Sequence, residues 1–83
     1  MQNIHIDFIG NGLKCYANID LEGTADSWRA YAKIHGHPTI SSLNIAYRLG
    51  DYLSPIFASE ENSFFFTPLL DKMDEKVKAL LPH

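Results

Sequence analysis

The feature that most constrains this chain is a strict alternation on both sides of one glycine-rich turn. Ile4, Ile6 and Phe8 alternate with His5 and Asp7 up to Gly10-Asn11-Gly12. Leu13, Cys15, Ala17 and Ile19 then alternate with Lys14, Tyr16, Asn18 and Asp20. A period of two belongs to a strand with one buried face. Residues tolerant of positive φ are what a tight hairpin turn requires. The spacing predicts a β-hairpin over residues 4–20, with Cys15 on its apolar face and Tyr16 on its polar face.

Beyond the hairpin the pattern changes. Thr24 follows Gly23 as a helix cap, and Ala25, Trp28, Tyr31, Ala32 and His35 fall on one side at helical spacing before Gly36. A second stripe of Ile45, Ala46, Leu49, Tyr52 and Leu53 ends at Ser54-Pro55. Together these predict an αα-hairpin. Residues 56–66 read as two short strands, a possible second short β-hairpin, around the polar run Ser59 to Ser63. Thr67-Pro68 has the signature of a helix start. Leu70, Met73, Val77 and Leu80 supply the apolar seam of a C-terminal amphipathic helix. The expected fold class is α+β: a single small domain over residues 1–83, with helices on a small antiparallel sheet.

Charge and cysteine usage narrow the function. Seven Lys and Arg against ten Asp and Glu give a net charge of −3. Residues 1–50 hold four acids and four bases, whereas residues 51–83 hold six acids and three bases. A non-specific nucleic-acid binder carries a basic stripe, which is missing here, so nucleic acid is not the expected partner. No apolar run approaches the ~20 residues of a membrane span. Cys15 is the only cysteine, which excludes an intrachain disulfide. The N-terminal residues do not resemble a signal peptide, and a cytoplasmic location is expected.

Candidate chemistry is sparse. His35-Gly36-His37 places two imidazoles one residue apart, but a metal site needs a third and usually a fourth ligand. Only His5, Asp7, Cys15 or His83 offer these, through an unspecified tertiary arrangement. A histidine-bearing helix end, favoured by the helix dipole, explains the triplet more simply. No nucleophile elbow, phosphate-binding glycine loop or EF-hand pattern occurs. The expectation is a non-enzymatic protein with no catalytic residue, metal or cofactor.

What remains is an excess of aromatic and acidic residues: ten aromatics in 83 residues. Core filling accounts for Trp28 and most phenylalanines. A strand with one solvent face cannot bury all of Phe64-Phe65-Phe66, so Phe65 lies either under a helix or on a contact surface. The expected function is binding another intracellular protein as an inhibitor or adaptor. Compact proteins of phages and mobile elements that block defence nucleases are the class suggested by size and missing chemistry. The expected contact residues are Tyr16, Glu60, Glu61, Phe65, Asp71, Asp74 and Glu75, and acids among them imply a partner with a basic surface. Two alternatives use other residues. One is a DNA-binding regulator with a helix-turn-helix over residues 28–49, reading bases through Asn44 and Arg48. The other is a homodimer or larger homo-oligomer packed through the Leu70, Met73, Val77, Leu80 seam.

Overall fold

The computed structural model describes all residues 1–83. Five strands, β1 (Gln2–Gly10), β2 (Leu13–Thr24), β3 (Ser27–His35), β4 (Ser42–Arg48) and β5 (Asp51–Ser54), precede one helix, α1 (Glu60–Leu80). The strands form an antiparallel meander in the order β1-β2-β3-β4-β5. The class is α+β.

The first hairpin forms where the alternation places it. Its turn is Asn11-Gly12, at φ of 49° and 79°, and its register sets Tyr16 opposite Asp7 and Cys15 opposite Phe8. Gly10 has a different task from the turn. A Cβ there would lie 2.6 Å from the Phe65 ring, so the missing side chain is what lets that ring rest on β1.

The αα-hairpin does not exist; its residues are β3, β4 and β5. Trp28, Ala30, Ala32 and Ile34 are buried with a period of two, and Leu43 and Ile45 continue it on β4. Trp28 and Ala32 fit a helical stripe as well as an alternating one, and the alanines add helix propensity. Tertiary pairing decides between them: β3 is hydrogen-bonded on both sides, to β2 and to β4. A helix-turn-helix over residues 28–49 is thereby excluded, and Asn44 and Arg48 lie on a strand.

Residues 56–66 form no second β-hairpin. The helix starts at Glu60, capped by Ser59, whose hydroxyl accepts from the Asn62 N–H at 3.3 Å. Thr67 and Pro68 lie inside it, and the Thr67 hydroxyl donates to the Ser63 carbonyl. An interior proline costs about 3 kcal/mol of helix stability. Burial of Phe65 and Phe66 offsets that, since each such ring contributes roughly 1.5–3 kcal/mol. Phe65, Phe66, Leu69, Met73 and Val77 form the buried stripe. Met73 and Val77 are thus spent on the chain's own sheet, whereas Leu70 is half-buried and Leu80 exposed, so the seam expected to join two copies is covered in part.

Both sheet edges are protected. The helix lies closest to β1, and the Lys72 ammonium donates to the Asp7 backbone carbonyl. The other edge, β5, has four residues and runs into Pro55. Short strands and charged guards of this kind oppose edge-to-edge association. The helix is not apolar enough to cross a membrane.

Candidate functional site: the open face of the sheet

One helix covers one face of the sheet. The alternation that buries Ile6, Phe8, Cys15, Ala17, Ile19, Leu21 and Trp28 beneath α1 sends their neighbours to the other face. Register arranges these neighbours in rows. Asp7, Tyr16 and His35 make one; His5, Asn18, Lys33 and Ser42 the next; Asn3, Asp20, Tyr31 and Asn44 a third; and Glu22, Arg29 and Ala46 a fourth. Lys14, opposite Ile9, stands beyond the first row. Shallow grooves run along this face, the largest about 800 Å³ and bordered on the open side by Glu22, Ser27, Arg29, Ala46 and Arg48.

The most ordered part of the face is a ladder of three rings. Tyr16 stacks on His35 at 4.4 Å between centroids and 11° between planes, and on His5 at 5.2 Å and 26°. Because β2 lies between β1 and β3, the two imidazoles cover opposite sides of the phenol. Tyr16 therefore turns its edge, not its faces, to solvent. His5 is further fixed by Asn18 Oδ1 at 2.8 Å from Nδ1 and Asp7 Oδ1 at 3.0 Å from Nε2. Two acceptor oxygens favour the imidazolium, which carries N–H on both nitrogens. The Asn18 contact first, and the Asp7 carboxylate second, raise the His5 pKa above its ordinary value.

The expected contact residues do not form one surface. Tyr16, 39% exposed, is on the open face. Phe65 is 2% exposed, packed on Phe8 and on the ring of His37, and has no surface to offer a partner. Glu60, Glu61, Asp71, Asp74 and Glu75 belong to α1, on the opposite side of the sheet from Tyr16. Glu60 and Glu61 sit in the first helical turn, where the dipole favours acids. Asp74 is committed internally: the Tyr52 hydroxyl donates to its carboxylate at 2.6 Å. Burial and that carboxylate push the Tyr52 hydroxyl well above the usual phenol range.

The two histidines of the triplet point to different sides. His35 joins the ladder, while His37 anchors the β3–β4 loop to the helix. Its Nδ1 accepts from the Thr39 and Ile40 N–H groups at 3.0 and 2.9 Å, which requires the Nε2–H tautomer, and Nε2 donates to Asn62 Oδ1 at 2.8 Å. Its ring stacks on Phe66. No three His, Cys, Asp or Glu side chains converge as a metal-holding group. Cys15 is buried in the core, as its place in the alternation predicts.

Asn44 and Arg48, singled out for base reading, both border grooves of the open face. Tyr31, Lys14, Lys33 and Arg29 are not among the residues the sequence singles out for contact, and His5 and His35 are weighed there only as metal ligands. The hairpin pattern alone places His5 and Lys14 on the same side as Tyr16, so part of the ladder had a signal. No protein-family model, curated protein or solved structure matches the chain.

Proposed function

We propose that this protein is a non-catalytic protein-binding module that engages its partner through the open sheet face around Tyr16. The observation that carries the reading is the ring ladder: ordered, solvent-facing aromatic and imidazole groups on a sheet face that the chain's own helix leaves uncovered. Tyrosine and arginine are enriched at interface hot spots, and here Tyr16, Tyr31 and Arg29 share a rigid support. An inhibitor or adaptor role, as expected from size and missing chemistry, is compatible with such a surface.

The same geometry disfavours single-stranded nucleic acid. Stacking platforms present ring faces to bases, whereas both faces of Tyr16 are covered by His5 and His35. Tyr31 remains, but Asp20 stands directly opposite it in register and repels phosphate.

The test is affinity capture from lysate of the cells that encode the protein, with nuclease added, comparing wild type with a Tyr16→Ala/Tyr31→Ala variant shown to be folded by circular dichroism. A stoichiometric protein retained by the wild type and lost by the variant supports the reading. Equal retention by both, or retention only of nuclease-sensitive material, contradicts it.

A further inference from the structure

The charge on the open face is not evenly spread. At the Tyr16 end, the first two rows and Lys14 beyond them hold two lysines, Lys14 and Lys33, against one carboxylate, Asp7. Asp7 is engaged by His5, and this is the only ion pair within 4.0 Å in the molecule. Both lysines are thus exposed without an acidic partner, on a chain whose net charge is −3. Of the other acids, five stand on α1 behind the sheet; on the open face Asp20 comes one row beyond Lys33, and Glu22 beyond that is paired in register with Arg29.

We propose that the Tyr16 end of the open face docks an acidic segment of the partner protein, with Lys14 and Lys33 meeting carboxylates on either side of the Tyr16–His35 ring edges. This rests on the reading of the open face as a protein-binding surface and names the partner's chemistry. Lys14 and Lys33 lie on the two strands that carry Tyr16 and His35, each two residues from its ring, so cations flank the ladder on a rigid support. Acidic side chains of the partner are repelled by the helix and attracted to this patch, which orients the encounter. The Tyr16 hydroxyl and the imidazole edge of His35 add hydrogen-bonding groups between the lysines. This reverses the expectation of a basic partner, which presumed that the helix acids share a surface with Tyr16.

Proton uptake strengthens the same surface. Groups facing His5 are Asp7 on β1, Lys14, Tyr16 and Asp20 on β2, and Lys33 and His35 on β3. The two oxygens that hold its ring nitrogens favour the cation. An acidic segment accordingly binds more tightly as pH falls through the His5 transition.

The experiment uses fluorescence anisotropy at low salt with three labelled probes: an oligo-glutamate peptide, an oligo-lysine peptide and oligothymidylate. The wild type is compared with Lys14→Glu/Lys33→Glu, and with Glu60→Lys/Glu61→Lys as a control on the helix. Oligo-glutamate is expected to bind the wild type, to lose about tenfold or more in affinity with the lysine reversal, and to lose nothing with the helix reversal. Added salt weakens it. A preference for oligo-lysine, tighter binding of oligothymidylate, no oligo-glutamate binding, or indifference to the lysine reversal overturns the proposal. Should capture of a protein partner still depend on Tyr16 and Tyr31 in those cases, the open face remains the binding surface and only the acidic chemistry fails.

Discussion

The two faces of the sheet are built from the same strands and alternate residue by residue, yet they are organised on different principles. The helix-covered face contains no buried polar side chain at all, and its aromatic rings pack on one another: Phe66 against Phe57, Phe65 and His37, and Phe8 against both Phe65 and Phe66. The open face also stacks rings, but they are imidazole and phenol, wet at their edges and tied to Asp7 and Asn18. Stacking on the first face serves stability through burial. On the second it orders polar groups that solvent already reaches, so its energetic yield is small, and in the proposed reading it presents a defined surface to a partner. Substitutions on the two faces should therefore separate into losses of folding and losses of binding.

The largest effect is expected on the covered face. Phe66 is fully buried at the centre of the aromatic cluster. Replacing it with alanine is expected to cost about 3–5 kcal/mol in urea unfolding, enough to leave a chain of this size barely folded. Next is His37, half-buried at the loop that joins sheet to helix. His37→Ala leaves the Thr39 and Ile40 N–H groups and the Asn62 carbonyl without their partner, at a cost of about 1–2 kcal/mol by the same measurement.

A turn belonging to neither face supplies a gain. Leu49 sits at φ 48° in the β4–β5 turn, a left-handed conformation that costs a non-glycine residue about 1 kcal/mol. Leu49→Asn creates an Asn-Gly turn with Gly50 and is expected to raise stability by up to about that amount. On the open face, Tyr16→Ala removes two cross-strand ring contacts and is expected to cost less than about 1 kcal/mol. A larger loss of stability would mean that the ladder is part of what holds the sheet together. The smallest effect is that of His5. Its pKa is raised in the folded state, so its contribution is complete below the ordinary value of 6.5 and disappears as pH rises through the folded value. The stability difference between wild type and His5→Gln, followed by thermal melts across that interval, is expected to shrink towards alkaline pH. A difference that grows with pH contradicts the Asn18–Asp7 geometry.

The parts legible in the sequence were those where a single period fits the residues. Residues 4–20 admit only a period of two, and the first hairpin forms there in register. Residues 25–36 satisfy both periods, because Trp28 and Ala32 belong to either, and only the hydrogen bonds to β2 and β4 resolve the choice. The helix start was displaced because Thr67-Pro68 carries a strong local signal, while the tertiary demand to bury Phe65 and Phe66 extends the helix two turns upstream. The same double periodicity hides the site. With β3 read as a helix, His35 had no reason to meet Tyr16, and acids on α1 were grouped with an aromatic residue on the other side of the sheet. Tyr16 is legible from its polar position in the hairpin, and the same alternation sets His5 and Lys14 on its side of the sheet.

The most direct test of the two-faced account is amide chemical-shift mapping of the isotopically labelled protein as the captured partner is added. The account predicts perturbations concentrated on β1, β2 and β3 at Asp7, Lys14, Tyr16, Lys33 and His35, with the exposed helix positions Glu61, Asp71 and Glu75 unmoved. Perturbations concentrated on α1, with the ladder unchanged, would contradict it.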